Sequence, residues 1–410
     1  MVENKKVTNK WVAIMFITYL SFDATSTLVN SVITSLLGQN SIDTIFCYFI
    51  LAIITFLAFI NEPKIIKFNV IAFAIFLILI FMFDNLLHAE NEYYVSEITS
   101  SVRKAFLGYF YIQTVTDENI IIKSFRPIAY ITFFSLFFQP FWSGSIIFES
   151  SSNGEFASGY MNFAYKMLPC IILFLYLYFK ERKKIDLILF IISIVEVFIF
   201  GNRGAILAVI VFLFLYILFC MKFTKKIIAL SGISVATVAI LYILNNKLLD
   251  IYNWVYSHGY SSRLLSRLIS GEAYESGREQ IYTLLLEVVQ QWNPLGYGIS
   301  GDRSLLYSAF GVPYYAHNLF LELIIQFGSI FGILISIYLI INWLKIFLRR
   351  DIGKWKEIFI VVFSIIIPKL MVSSSFWVES YFFVLLGMMS VIRRIKLWKN
   401  KKILIKKEFL

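Results

Sequence analysis

Apolar runs of about 18 or more residues recur along the whole chain, and each is long enough to cross a hydrocarbon core. Such runs leave few folds open. A helix satisfies its own backbone hydrogen bonds in lipid, so spanning helices are expected. A β-barrel would instead show ten-residue alternating segments, which are not seen. Charged residues make up only 15% of the chain against 59% hydrophobic ones, far from the balance of a soluble domain. The expectation is an all-α polytopic membrane protein.

About twelve spans can be placed by length: 11–36, 42–60, 68–87, 98–115, 127–148, 161–179, 185–201, 203–221, 227–244, 317–344, 357–376 and 379–395. The fourth is only modestly apolar and carries Arg103 and Lys104. The N-terminus resembles a signal peptide, with Lys5, Lys6 and Lys10 before an apolar run, but no small-residue cleavage site follows and Asp23 interrupts the run. It reads as an uncleaved first span.

The net charge of +11 does not point to nucleic acid, because the charges sit at the ends of apolar runs. They read as topology signals and as contacts to anionic lipid heads. With the N-terminus inside, about 27 of the 37 lysines and arginines fall on cytoplasmic segments. Both termini are then cytoplasmic.

Two loops lie on the other side. One is short, roughly Phe148 to Tyr160, with the polar stretch Glu149 to Glu155. The other runs over about 70 residues, too long to be structureless. It shows helical apolar periodicity at Leu264, Leu265, Leu268 and Ile269, and again from Ile281 to Val289. The expected organisation is therefore nine spans over 1–244, a helical extracytoplasmic insertion over 245–316, and three spans with a basic tail over 317–410.

Few residues are candidates for chemistry. Cys47, Cys170 and Cys220 lie within apolar runs and read as packing residues. His88 and His258 have no partner at metal-ligand spacing, and neither an Asp-x-Asp nor an HExxH motif occurs, so no metal and no cofactor is expected. Arg203 follows Asn202 at the outer end of a long apolar hairpin. It is either an anion-binding arginine facing a cavity or a snorkelling helix-end residue. Ser276 and Glu279 have capping-box spacing, which puts Arg278 in a first helical turn. The helix dipole disfavours a cation there unless an anion shares the site; a local pair with Glu275 or Glu279 is the alternative. His317-Asn318 stands where the large loop returns to the membrane, with Glu322 one and a half turns on. A neutral imidazole there is able to accept a proton, or else it is a cap or an interfacial residue. Asp23, Asp84, Lys166, Glu196, Lys369 and Glu379 are further intramembrane charges, each a candidate for function or internal pairing.

Taken in order, Asn202-Arg203-Gly204, Ser276-Gly277-Arg278, the cluster Trp292, Pro294, Gly296 and Gly298, then His317-Asn318 to Glu322, Gly328 and Gly332 resemble the O-antigen ligase and O-antigen polymerase superfamily of bacterial membrane glycosyltransferases. The likeness is specific over about residues 185–345 and rests on span count alone in the first half. It implies a GT-C type fold and a metal-independent, inverting transfer from a glycan carried on undecaprenyl diphosphate. Polymerases pass that chain to another lipid-linked repeat unit, and ligases pass it to lipid A-core. The family's essential arginines match Arg203 and Arg278, and its histidine matches His317. Arg103, Asn318 and Glu322 are further expected substrate contacts, and Tyr314, Tyr315 and Trp292 are expected to stack on sugars. A chain-length regulator and a flippase are the protein partners implied, in the bacterial cytoplasmic membrane. A flippase for lipid-linked oligosaccharide is a reading of another class; it would not need an outer loop carrying Ser-Gly-Arg and a following His-Asn.

Overall fold

The computed structural model describes residues 2–37, 42–61, 67–115, 117–138, 157–200, 202–257, 262–270 and 278–408. All regular structure among them is helical, as expected, and the chain is an integral membrane protein. In chain order the helices are α1 (Val2–Leu20), α2 (Phe22–Leu37), α3 (Ile42–Asn61), α4 (Phe68–Leu87), α5 (Glu92–Thr114), α6 (Glu118–Leu136), α7 (Ala157–Glu181), α8 (Lys184–Phe200), α9 (Arg203–Cys220), α10 (Phe223–Ser257), α11 (Arg263–Ser270), α12 (Arg278–Gln290), α13 (Gly301–Phe310), α14 (Leu319–Leu348), α15 (Lys354–Leu370) and α16 (Ser380–Glu408). The chain divides into two compact units: Met1–Val12, Ala58–Ile120 and Glu275–Leu410 form the first, Ala13–Leu57 and Ile121–Tyr274 the second.

Among the described residues four helices are long and apolar enough to cross a bilayer: Phe68–Leu87, Asn162–Glu181, Arg203–Cys220 and Leu319–Leu348. The bent pair Lys10–Leu20 and Phe22–Val32 makes a fifth if it is one span. α8 and α15, with 17 residues each, are about 25 Å long, somewhat short of a core of about 30 Å.

The expected first span, 11–36, is not straight. It bends by 61° at Ser21. There the hydroxyls of Ser21, Thr25, Ser26 and Thr27 all donate to carbonyls three or four residues back, a competition with the helical ladder that bends helices.

In the first unit, α4 buries only Val70, Leu77 and Asp84. It leaves Phe68, Ile71, Ile75, Phe76, Leu79 and Phe83 exposed, an apolar face of the kind that lipid or a protein partner covers. α5 and α16 pack along each other, and Gly387 permits their approach, since a Cβ there would strike the Ile112 side chain. Lys369 and Glu379 pair at 2.5 Å, and Ser374 donates to the same carboxylate oxygen. The intramembrane charges at these two positions thus answer each other.

In the second unit α7 is the core helix, with Met167, Leu168, Ile171, Ile172, Phe174 and Tyr176 buried. Arg126 forks onto both oxygens of buried Asp186 at 2.9 and 3.0 Å and onto Glu181 at 2.9 Å. Lys166 donates to Thr27 Oγ1 at 2.7 Å. Cys170 is buried and Cys220 half-buried, both free thiols.

Candidate active site

From Arg278 onward the large loop is folded on a small apolar core. Ile281 and Leu285 of α12 bury against Leu306 of α13, Ala316 and Ile325 of α14. Its residues divide between the two units, 245–274 in the second and 275–316 in the first. The expected start of the insertion, residue 245, lies inside α10, which runs on to Ser257. Leu264 to Ile269 fall in α11 and Ile281 to Val289 in α12, both helical as the periodicity predicts. Glu275, Ser276, His258, residues 148–156 of the short polar loop and the Cys47 side chain lie outside the described residues, while the loop's expected last residues, 157–160, already belong to α7.

α14 is where this part of the chain departs most from a simple span. Gly328 sits at φ 82 and ψ 167, so the helix is broken there. The short arm Leu319–Phe327 folds against the long one: a Cβ on Gly332 would meet Leu323 O and Ile324 Cα. The break frees backbone groups that need partners. The turn after α12 supplies them. Tyr297 N–H donates to Ile325 O at 2.9 Å and Gly298 N–H to Gln326 O at 3.1 Å, while Ser329 N–H donates to Asn293 O at 2.8 Å. Gly296 and Gly328 pass so closely that neither has room for a side chain. Asn293 stiffens the turn, its Oδ1 accepting from Leu295 and Gly296 N–H at 3.1 Å each. The remaining arm, Ser329–Leu348, is about 30 Å long, enough to cross.

The same turn is tied to α4 and α5. Asp84 Oδ1 accepts from Ile299 N–H at 2.7 Å, and Asn91 Nδ2 donates to Tyr297 O at 2.6 Å. Arg303 stands 3.8 Å from Glu97.

Beneath the loop return lies a buried polar network. Asp302 is fully buried; its Oδ2 accepts from Ala316 N–H at 2.9 Å and its Oδ1 from Gln326 Nε2 at 2.8 Å. Gln326 Nε2 also reaches Glu322 Oε1 at 3.3 Å, and its Oε1 accepts from Trp377 Nε1 at 2.6 Å. Ser375 Oγ and Phe376 N–H complete the Glu322 carboxylate. Burial pushes the Asp302 carboxyl up, partly offset by its Ala316 and Gln326 donors.

This network fixes the residue that precedes the helix. Asn318 is the cap of α14, its Oδ1 accepting from Phe320 and Leu321 N–H at 3.0 and 3.1 Å. His317 lies before it, buried, at φ 53. A non-glycine residue in the left-handed region is strained and persists only where its surroundings hold it. Ala316 is held by Asp302, and the His317 carbonyl accepts from Tyr282 OH at 3.2 Å. Among the described residues four non-glycine positions have positive φ, and three of them, Trp292, Ser300 and His317, fall in this stretch.

The His317 ring lies on Tyr315 with centroids 4.1 Å apart, and its Nδ1 is buried without a hydrogen-bond partner. Burial, and then the positive charge of Arg278, hold this imidazole down at about 4. It is therefore neutral at physiological pH, with ring-nitrogen acceptor capacity unspent. Arg278 opens α12 and Tyr282 follows one turn later on the same face; burial raises the Tyr282 hydroxyl while Arg278 opposes it.

The structure thus brings together Arg278, His317, Asn318 and Glu322 in the first unit. Glu322 is enclosed in the network and Asn318 is committed to its cap. Arg103 is exposed on α5 of that unit. Arg203 belongs to the second unit, exposed at the start of α9, beside Asn202, whose Oδ1 accepts from Ala205 N–H at 3.0 Å. Tyr315 is engaged with His317 and Ser373 O, while Tyr314 and Trp292 are exposed. Asp302, Gln326 and Trp377 are absent from the sequence-derived set. The available signal was an amide four residues after Glu322 in an apolar helix, a spacing that puts both on one face.

Residues 188–337 match the family model described as O-antigen ligase. No curated protein and no solved structure matches the chain.

Proposed function

We propose that this chain, which belongs through residues 188–337 to the O-antigen ligase and polymerase superfamily, polymerises lipid-linked oligosaccharide repeat units into a surface polysaccharide. The donor is a glycan on undecaprenyl diphosphate and the acceptor a second lipid-linked unit. The reading includes about twelve crossings of the cytoplasmic membrane, both termini inside, a GT-C type fold, and a site on the outer face.

The observation that carries it is a buried, neutral, backbone-strained His317 whose ring feels the positive charge of Arg278. In the transfer an acceptor hydroxyl oxygen attacks the anomeric carbon, and the bond from that carbon to the diphosphate oxygen breaks. Negative charge collects on the leaving diphosphate. Arg278 meets it with a rigid fork of donors, the fixed-charge assistance that gives the largest catalytic contribution in such reactions; the family resemblance assigns Arg203 the same role. His317 receives or orients the hydroxyl proton. Its low affinity for protons keeps it an acceptor beside a cation. Asp302 acts through the backbone, holding Ala316 and so the turn of His317. Trp292 and Tyr314 are exposed and would offer aromatic faces for sugar rings to stack on.

Transfer of a finished glycan to lipid A-core or another acceptor is the second reading, supported by the description of the matching family. Deleting the gene and sizing the glycans distinguishes the two. Single repeat units left on the lipid carrier support polymerisation. Full-length chains left unattached support ligation. Intermediates trapped on the cytoplasmic face would instead point to a flippase and overturn both.

A further inference from the structure

A second cluster lies at the other end of the first unit. Lys67 precedes α4, and its Nζ donates to the carbonyl of Gln113 near the end of α5. Arg394 of α16 donates through Nη2 to Oε1 of the same Gln113. Gln113 is fully buried and anchored by its Nε2 to Gly387 O at 2.9 Å. One glutamine therefore holds two cations side by side. Among the described residues neither has a carboxylate partner. Arg394 Nε is buried with no hydrogen-bond partner.

The bland explanation is that both cations cap the last carbonyls of α5. A helix end offers about half a negative charge, which leaves two full cations underbalanced by well over one charge. Half-buried like charges without a counter-ion are costly. The cost is visible at Lys67, whose amine is lowered to about 8, first by burial and then by Arg394.

We infer that Lys67, Arg394 and Gln113 form a binding site for a phosphate group. Arginine supplies a planar fork and lysine a point charge, the pair that phosphate oxygens accept best. Position sets the site apart. Asn91, which holds the loop turn, and Gln113 stand at opposite ends of α5, about 33 Å apart along the helix. The phosphate site therefore lies about that far along α5 from the turn that frames His317 and is separate from the transfer chemistry.

The test uses the purified full chain. Its thermal melting is followed in detergent with inorganic phosphate against chloride of equal ionic strength, and in nanodiscs of phosphatidylglycerol against phosphatidylcholine. The wild type should melt higher with the phosphate-bearing partner. Lys67→Gln and Arg394→Gln should each weaken that response about tenfold, and Arg393→Gln, which removes an exposed neighbour bonded to Tyr338 and Asn342, should not. Lys67→Gln should also melt higher than wild type without any anion, since it removes the repulsion. A response to phosphatidylglycerol alone identifies a lipid headgroup, and a response to both identifies a soluble phosphate compound. No response to either overturns the site. So does an equal loss in Arg393→Gln, which would mean diffuse charge attraction.

Discussion

Two of the helix starts that carry residues proposed for transfer, those of α9 and α14, are capped by asparagine. At α14 the functional residue comes before the cap; at α9 it comes after. His317 is buried, held at φ 53 and surrounded by a hydrogen-bonded network. Arg203 is exposed in the first turn of its helix. The difference teaches what each position is for. A residue before the cap is fixed by whatever grips the incoming chain, which suits a group whose exact placement and neutrality matter. A cation after the cap sits against the positive end of a helix dipole, which suits a group meant to share an anion with the helix N–H donors.

The largest effects should come from removing the two groups. His317→Ala and Arg203→Ala should each lower polymer formation at least about 100-fold, the scale of losing a proton acceptor or a charge stabiliser, with protein amounts unchanged on immunoblots. Wild-type labelling of polymer in Arg203→Ala membranes would break the comparison. Arg203→Lys should fall between, because the charge survives and the fork does not.

Next in size is the frame around His317, for which α9 has no counterpart. Gly328→Ala forces an alanine to φ 82 and a methyl group onto the Pro294 carbonyl. It should cost at least about 3 kcal/mol and show as a clear drop in melting temperature. Unchanged melting would mean that the turn is not docked in the break.

The electrostatic contrast predicts a pH profile. His317 binds protons less readily folded than unfolded, at about 4 against its ordinary value of 6.5. Between those values the unfolded chain carries more protons, so this group's contribution to stability rises with pH across that window and is lost on acidification through it. Activity should show no histidine limb from pH 5.5 to 8. A limb centred near 6.5 that disappears in His317→Ala would overturn the neutral, buried reading.

The smallest effect separates the caps themselves. Asn202→Ala and Asn318→Ala should each cost about 1 kcal/mol. The loss at Asn318 should be the larger, since it accepts from two N–H groups rather than one. Equal values would show that the second N–H group adds nothing to the cap.

The all-helical architecture, the helical loop and both helix starts were legible in the sequence because they rest on local pattern. Apolar period, asparagine before a helix and a histidine at the loop return need no tertiary information. The bend at Ser21 was partly legible in the run of Ser and Thr after Asp23. The break in α14 was not. Gly328 lies in a continuous apolar run, and glycine alone does not tell a tolerated residue from a left-handed one. What decides is the turn Asn293–Gly298 filling the gap, a contact from outside the helix. Asp302 was missed for the same reason: an acid in a loop reads as solvated until Ala316 and Gln326 are seen closing on it. Lys369 and Glu379 were marked as candidates, but their pairing needed two separate helices to meet.

The docking of that turn also decides what kind of object the loop return is. From Asn293 to Asp302 it is bonded to α4, to the start of α5 and to both sides of the α14 break. Lifting it would forfeit every one of those bonds, at about 1 kcal/mol apiece or more where the freed group stays buried. A gate that opened there on each turnover would be slow and expensive. This stretch is a fixed floor under the loop return, and it moves only when the helices it is bonded to move.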